Sequence, residues 1–259
     1  MGVTKVEKYK YLKISETEKI VTITFSKPPV NALNQEAYLE ITDAFNKLNQ
    51  RDDIRVIVLC SEGKGFLGGN DISEIQSHTK KSHPQYQKII TDCMGSIVEC
   101  KHPVIGAVQG YAIGAGMVVA VACDLVVASE DAWFNVPELS LGVVAGASFL
   151  MAILPEKIVR YLCYTGAHIS ATEMLNLGAI NFVVQREQLM AKANEIAGRI
   201  AAQPPTALTY FKEVLNLHYN RQYDKKFLLE TAYTGRILET PEKQECVNAF
   251  FEKRKPVFD

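Results

Sequence analysis

The chain has 259 residues, of which 47% are hydrophobic, and its formal net charge is −1 at pH 7. Because the charge is nearly balanced, the composition gives no indication of a surface for nucleic acid or for an anionic membrane. The six cysteines show no CxxC pairing and the five histidines show no ligand spacing, so we expect reduced, mostly buried thiols and no metal site.

The first predicted elements are two strands and a helix. Residues 11–26 alternate between apolar and polar side chains around a turn at 16–19, which predicts a pair of strands. Asn34 has the position of an N-cap for a helix that ends near Gln50. The apolar face of this helix is predicted to comprise Leu39, Ala44, Phe45 and Leu48.

Strands and helices then alternate, which indicates an α/β domain with a parallel sheet. Buried strands are predicted at 55–61, 104–108 and 125–128. Helices are predicted to begin at Asp71, to span 88–100, and to end near Ala122. The polar stretch 76–87 is predicted to be mobile. After residue 150 the pattern is helical at 158–165, 171–178, 186–203, 206–219 and 223–238, with one strand at 180–184.

No targeting or membrane segment is expected. The N-terminus has no continuous apolar stretch, and the most apolar segment, 111–129, contains Asp124. We therefore expect no membrane contact and a cytoplasmic location, with an organelle matrix as the alternative.

Two glycine-rich segments share one design. FLGGNDISEI (66–75) and GYAIGAGMVV (110–119) each follow a predicted strand and open a predicted helix. N–H groups at a helix start lack intrahelical acceptors, and the helix dipole adds partial positive charge there. Either segment alone is also compatible with an ordinary turn. If the two converge, they predict a site for an oxyanion.

A resemblance to the enoyl-CoA hydratase/isomerase (crotonase) superfamily covers nearly the whole chain. It is carried, in the family's order, by KPPVNALN (27–34), GFLGGNDISEI (65–75), KHPVIGAVQGYAIGAGMVVAVACDLVVAS (101–129), FNVPELSLGVV (134–144), TGAHISATEMLNLGAINFVV (165–184) and NAFFEKRKPVF (248–258). The resemblance implies an α/β, crotonase-like (ClpP/crotonase) spiral of β-β-α units over residues 1–200. It implies that the helical region 201–259 completes the active site and assembles a homotrimer or a dimer of trimers.

The resemblance also implies an acyl-CoA thioester substrate, with no cofactor beyond its CoA moiety. The N–H groups of Asn70 and Ala115 would hold the thioester oxygen, and Glu138 would transfer protons. The Asn70 side chain is expected to suit the turn rather than to orient the acyl group, and Glu138 could instead cap the next turn. CoA contacts are implied for Lys27, Ala32, Leu33, Gly68 and Ile72, and for Phe250 and Lys253 of the C-terminal end. Lys27 could equally be a solvated loop lysine, and the last two could be ordinary residues of a terminal helix.

One departure from the family pattern decides the preferred reaction. Hydratases of this family typically use a second glutamate, and Val118 stands at its position. A single carboxylate among apolar neighbours such as Val136, Leu139 and Val143 suits a shuttle of one proton from C2 to C4, with a raised pKa. The sequence therefore favours 3-enoyl-CoA to 2-enoyl-CoA isomerisation.

Other functions stay open at this stage. The alternative is an enoyl-CoA hydratase/3-hydroxyacyl-CoA dehydratase in which another acid or a water network replaces the missing glutamate. Further alternatives are decarboxylation or C–C bond formation of the malonyl-CoA type and non-catalytic acyl-CoA binding.

Overall fold

The computed structural model describes residues 9–77, 79, 81–218, 223–238 and 240–258. The strands in this part of the chain are β1 (Leu12–Thr17), β2 (Ile20–Phe25), β3 (Val56–Ser61), β4 (Val104–Val108), β5 (Tyr111–Ile113), β6 (Leu125–Ser129), β7 (Trp133–Asn135), β8 (His168–Ser170) and β9 (Phe182–Val184). The helices are α1 (Gln35–Asn49), α2 (Ile72–Ser77), α3 (His83–Val98), α4 (Ala115–Ala122), α5 (Ala147–Leu150), α6 (Glu156–Thr165), α7 (Ala171–Asn176), α8 (Leu189–Ala201), α9 (Pro205–His218), α10 (Tyr223–Ile237) and α11 (Pro241–Phe251).

The strands form two sheets. The larger sheet has the order β1-β2-β3-β4-β6-β9, and only its β1–β2 pair is antiparallel. The smaller sheet has the order β5-β7-β8. The chain passes directly from β4 to β5 and from β6 to β7, so strands of the two sheets alternate before each helical segment. This order of strand, strand and helix agrees with the predicted fold class.

Both faces of the larger sheet are buried. Along β3, Ile57 and Leu59 face the main core, whereas Val56, Val58 and Cys60 face a second cluster that α8 covers with four buried residues. Period-two alternation in a strand covered on both faces produces the continuous apolar run seen in the sequence. The six cysteines are free, and five of them are buried, as predicted.

The first helix begins as predicted but is rotated slightly from the predicted face. The side chain of Asn34 accepts a hydrogen bond from the N–H of Ala37 at 3.0 Å, which is the N-cap interaction. Ala44, Phe45 and Leu48 are buried, but Leu39 is 48% exposed, so its assignment to the core was wrong.

Further corrections concern short or polar segments. Helix α3 begins at His83, so residues 83–87 are helical rather than part of a loop, and His83 is buried. Residues 78 and 80 of the predicted mobile stretch lie outside the described residues. Strands β5, β7 and β8 were not predicted, because three residues are too few to establish an alternating pattern.

The C-terminal helices pack on the site-bearing part of the chain. Helix α10 lies against α3 and α5, and α11 lies against the turn Glu138–Leu141. Helix α9 inserts the buried ammonium group of Lys212 beneath the sheet, where it pairs with Asp124 at 2.7 Å. The division of the chain at residue 200 stays a prediction. None of the helices in the described segments combines the length and the apolarity that crossing a membrane requires.

Candidate active site

The two glycine-rich loops meet, as the sequence predicts. Leu67 and Ala112 form a parallel β-bridge, and the N–H of Ile113 donates to the carbonyl of Leu67 at 3.0 Å. Gly69 makes this approach feasible, since its φ is +84° and a Cβ there would lie 2.8 Å from the carbonyl oxygen of Ile113. The same Cβ would lie 3.8 Å from the amide nitrogen of Ala115, so the ends of the two loops are immediate neighbours.

The N–H groups of Asn70 and Ala115 have no hydrogen-bond acceptor among the described residues. Leu33 bonds to the flanking groups instead: its N–H donates to Gly69, and its carbonyl accepts from Asp71. In a parallel bridge this pattern turns the N–H of Asn70 away from Leu33. Ala115 is the first residue of α4, where an N–H has no intrahelical acceptor. Two adjacent unpaired N–H groups can therefore both donate to one oxyanion.

The position of Asn70 differs in one respect from the sequence prediction. Helix α2 begins two residues after Asn70 and has only six residues, so this donor comes from the loop and not from a helix start. The positive φ of the turn belongs to Gly69 and not to Asn70.

The side chain of Asn70 is held by two tyrosines that sequence reasoning did not assign. The hydroxyl of Tyr38 donates to Oδ1 of Asn70 at 2.5 Å, and that of Tyr86 at 3.4 Å. Burial raises the pKa of Tyr38 well above its ordinary value, which keeps the hydroxyl a donor. The role of this side chain, suiting the turn or orienting the acyl group, stays a prediction, and the structure adds two tyrosine contacts to it. The sequence offered one indication that Tyr38 points inward: it follows the N-cap residue Asn34 by four residues and lies on the buried face of the helix.

Asn31 fixes the first loop from behind. Its Nδ2 donates to the carbonyls of Glu62, Gly65 and Phe66 at 2.8, 3.0 and 3.2 Å, and its Oδ1 accepts from the N–H of Lys27 at 2.8 Å. The residue is 4% exposed and has φ +56°. An asparagine suits this position because it tolerates the left-handed region and supplies both donor and acceptor.

Glu138 lies beside the second loop. It opens a 3₁₀ turn, Glu138–Leu141, directly after β7, and it is 9% exposed. A Cβ built on Gly114, the residue before Ala115, would overlap Oε1 of Glu138. Gly114 has φ +52°, so both its backbone and the adjacent carboxylate call for glycine.

The environment of Glu138 favours its protonated form. Burial, with a smaller contribution from the charge of Glu230, raises its pKa from 4.5 to about 8. Its Oε2 has no hydrogen-bond partner among the described residues. Val136 is buried near this turn as predicted, whereas Leu139 is 54% exposed and cannot enclose the carboxylate. A carboxyl group that gains and loses a proton near neutral pH is suited to acid–base catalysis.

Glu230 is a second carboxyl group that sequence reasoning missed, on a partly buried residue whose Oε2 atom is buried. It lies on α10, and its Oε1 accepts the N–H of Ser148 at 2.7 Å. Burial raises its pKa. The sequence carried no signal for it, because 92 residues separate it from Glu138 and no motif joins them. Val118, at the position of the missing glutamate, is buried and apolar.

The residues assigned to CoA fall into two groups. Leu33, preceded by Ala32, pairs with Asn70 of the first loop, and Gly68 and Ile72 lie within that loop, Ile72 as the first residue of α2. Lys27 pairs with Asp71 at 2.9 Å and is not a freely solvated lysine. Phe250 and Lys253 are exposed at the end of α11, and no hydrogen bond, ion pair or ring contact of the described residues joins them to the first group. Their contacts with CoA stay predictions.

The fold and the site together define the crotonase class of enzymes that process acyl-CoA thioesters. The chain belongs to the enoyl-CoA hydratase/isomerase family, whose sequence model matches residues 15–259. It is 31% identical over 237 residues to the (7aS)-7a-methyl-1,5-dioxo-2,3,5,6,7,7a-hexahydro-1H-indene-carboxyl-CoA hydrolase of Mycobacterium tuberculosis, covering 90% of this chain and 95% of that protein.

Two further proteins extend this similarity. The crotonyl-CoA hydratase of Syntrophomonas wolfei is 30% identical over 255 residues, which cover 96% of this chain and 98% of that protein. The crystal structure of an enoyl-CoA hydratase/isomerase from Pseudoalteromonas atlantica has a TM-score of 0.88 and 28% identity, covering 96% of this chain and all of that one. The predicted fold class is confirmed.

Proposed function

We propose that this protein catalyses the reversible addition of water to a 2-enoyl-CoA thioester. One observation carries the proposal: a buried, protonatable carboxyl group lies directly beside two unpaired main-chain donors. Glu138 lies against Gly114, the residue before Ala115, and Gly69, the residue before Asn70, adjoins Ile113 and Ala115. The N–H groups of Ala115 and Asn70 have no acceptor among the described residues. An enolate oxygen placed between the donors would put C2 of the substrate near Glu138.

The residues account for the charge that hydration develops. Addition of water oxygen to C3 moves the π electrons to C2 and the thioester carbonyl, so negative charge grows on the carbonyl oxygen. The N–H groups of Asn70 and Ala115 stabilise that charge, and each such donor contributes about 3 kcal/mol in the transition state. The attacking water releases one of its protons to solvent as the C3–O bond forms, and protonated Glu138 delivers its proton to C2, which completes the 3-hydroxyacyl thioester. Glu138 then regains a proton from solvent.

The reactions of the relatives favour hydration over the isomerisation that the sequence favours. The two relatives compared by sequence are named a hydratase and a hydrolase, and both names describe reactions that consume water. Isomerisation is the second candidate, because Val118 is apolar and a lone Glu138 could move a proton from C2 to C4. An inert acyl-CoA-binding protein is the alternative outside catalysis.

The residues Lys27, Ala32 and Leu33, which follow β2, and Gly68 and Ile72 of the first loop are proposed to border the CoA moiety. Lys27 is the testable member, since its ammonium group lies 2.9 Å from Asp71 and would hold that loop and a phosphate together. Replacement by methionine is expected to raise KM more than it lowers kcat. Lys157→Met, which removes an exposed lysine of α6, is the matched control.

Self-association through the helical end of the chain is proposed as well. Helix α9 exposes a row of large apolar side chains, namely Tyr210, Phe211, Val214, Leu215 and Leu217. The proposed partner is a second copy of this chain, within a trimer or a dimer of trimers. Light scattering of the wild type and of Phe211→Asp tests this: a monomeric wild type contradicts it.

The experiment that tests the function compares Glu138→Gln with Glu156→Gln, which neutralises an exposed carboxylate of α6. Hydration is followed as the loss of the conjugated enoyl thioester. Removal of the proton donor should lower kcat by about a hundredfold to ten-thousandfold, with the control unchanged. Full activity of Glu138→Gln would contradict the assignment, and CoA-ester binding without turnover by the wild type would favour the inert binder.

A further inference from the structure

Helix α10 is fastened to the segment that follows the Glu138 turn. The hydroxyl of Thr234 accepts the N–H of Val144 at 2.9 Å and lies 2.8 Å from its carbonyl, to which it donates. One helical turn earlier, Oε1 of Glu230 accepts the N–H of Ser148 at 2.7 Å. Both contacts lie on one face of α10. The docking of the helix therefore determines where the carboxyl group of Glu230 lies.

Buried polar atoms without partners concentrate at this place. Within the described part of the chain, the buried side-chain nitrogen and oxygen atoms that have no hydrogen-bond partner are Oε2 of Glu138, Oγ of Ser148 and Oε2 of Glu230. A buried polar atom without a partner destabilises the folded protein, and such atoms call for an explanation. The Ser148 side chain adjoins Glu230 and lowers its pKa against the larger effect of burial, so the carboxyl oxygens of Glu138 and Glu230 are the two acceptors left for a polar ligand.

The same place adjoins the position where the family's glutamate is missing. A Cβ built on Gly146 would lie 3.3 Å from Cγ2 of Val118 and 3.8 Å from Cγ1 of Val136. Gly146 lies two residues before Ser148, the donor to Glu230. The segment 146–148, which binds Glu230, therefore packs on Val118. At this position α4 contributes only the apolar side chain of Val118, whereas α10 contributes a carboxyl group nearby.

The two carboxyl groups also interact electrostatically. Burial is the main cause of the raised pKa of Glu138 and of Cys163 on the adjoining α6; the charge of Glu230 adds to the first, and the charges of Glu138 and Glu230 add to the second. Two neighbouring buried carboxyl groups cannot both ionise at little cost, so such a pair retains one proton in the neutral range. A pair that holds one proton contains one general acid and one general base.

We propose that Glu230 is the second catalytic carboxylate, the general base that takes a proton from the attacking water. This inference rests on the proposed hydration. The C3–O bond forms as one O–H bond of water passes its proton to Glu230, and the π electrons of C2=C3 move into the enolate. Glu138 then gives its proton to C2. The pair ends with its proton on Glu230 and regains the starting form by proton transfer between the two groups or through solvent.

The test separates two reactions that need different members of the pair. Hydration of crotonyl-CoA needs both carboxyl groups, whereas exchange of the C2 protons of butyryl-CoA with deuterated water needs only Glu138 and the two N–H donors. Both rates are measured for the wild type, Glu230→Gln and Glu138→Gln. Glu156→Gln controls for the loss of an exposed charge, and Thr234→Val controls for looser attachment of α10.

We expect Glu230→Gln to lose about a hundredfold or more in hydration and to keep exchange within about threefold, which also shows that it is folded. Glu138→Gln loses both rates, and Thr234→Val changes the two rates in parallel. Equal hydration by Glu230→Gln and the wild type, or a parallel loss of both rates, overturns the role of Glu230 alone. A wild type that exchanges C2 protons but never hydrates crotonyl-CoA overturns the proposed function, and this role with it.

Discussion

The carboxyl group of Glu138 lies so close to the α carbon of Gly114 that a side chain at position 114 would occupy its place. This contact joins the acid–base group to the loop that carries the Ala115 donor. The Ala115 N–H acts on the enolate oxygen and Glu138 acts on the enolate carbon. Gly114 therefore fixes the position of one of these groups relative to the other. Catalysis of this kind depends on such positioning, because small displacements of the reacting groups lower the rate.

Gly114→Ala is expected to lower kcat/KM by about a hundredfold. The new methyl group displaces Glu138, and φ of +52° strains any residue with a Cβ, so the free energy of unfolding should fall by about 1–3 kcal/mol. Steady-state kinetics and chemical denaturation measure the two effects. The matched control is Gly95→Ala in α3, where a Cβ meets nothing within 4 Å. That variant should keep its activity and gain up to about 1 kcal/mol. Equal kinetics for both variants would contradict the assigned contact.

The pH dependence of stability should carry the signature of Glu138. The folded protein holds this proton up to about pH 8, whereas the unfolded chain releases it near pH 4.5. The free energy of unfolding therefore falls as the pH rises through this window. Glu138→Gln cannot titrate, so its stability should fall less and should exceed that of the wild type by about 1–3 kcal/mol at pH 7. Denaturation curves between pH 5 and about pH 8.5 measure this difference, and parallel curves for the two proteins would refute it.

The pH dependence of the rate distinguishes the two candidate reactions. Hydration needs protonated Glu138, so kcat/KM should fall above about pH 8, whereas a lone ionised base for isomerisation would make it rise toward about pH 8. Tyr38 and Cys163 do not titrate in this range, since the pKa of the tyrosine is raised far above 10 and that of the thiol to about 11. Glu230 is the remaining group coupled to Glu138 in this region, and the profile of Glu230→Gln identifies its contribution.

Asn31→Asp should destabilise the protein and misplace the first donor loop. The substitution replaces three N–H···O contacts with a carboxylate that faces the carbonyls of Glu62, Gly65 and Phe66. We expect a loss of about 2–4 kcal/mol in the free energy of unfolding. Asn49→Asp is the control, because Oδ1 of Asn49 only accepts the N–H of Lys101, and aspartate keeps that acceptor. A similar loss in both variants would show that the three contacts are unimportant.

The ion pair of buried Lys212 with exposed Asp124 should attach α9 to the sheet. Lys212→Met removes the bonds of the ammonium group to Asp124 and to the carbonyl of His102, and should cost about 1–2 kcal/mol in the free energy of unfolding. Lys88→Met, which breaks an exposed pair on α3, should cost less than about 0.5 kcal/mol. A double-mutant cycle with Asp124→Asn measures the coupling, and additive losses would contradict it.

The features of this protein that were predictable from sequence depend on local chemistry. The Asn34 cap, the continuous apolar runs and the two glycine-rich loops each have a cause within a few residues. The small sheet escaped prediction because its strands are three residues long. Leu39 was misplaced because a helix face is known from sequence only to within about a residue.

The second carboxyl group illustrates the limit more clearly. Glu138 stands in a motif, but Glu230 acquires its place only when α10 docks on the segment after Gly146. Val118 indicated correctly that α4 lacks an acid and could not indicate that another helix supplies one. Conclusions about the reaction drawn from the missing glutamate alone therefore favoured isomerisation.

Mass spectrometry of the products formed from matched 2-enoyl-CoA and 3-enoyl-CoA substrates in deuterated water tests the central claim most directly. The account predicts that the 2-enoyl thioester gains one molecule of deuterated water, with one of its deuterium atoms at C2, and that Glu138→Gln forms no such product. Conversion of the 3-enoyl thioester to its 2-enoyl isomer, with no water gained from either substrate, would contradict the account.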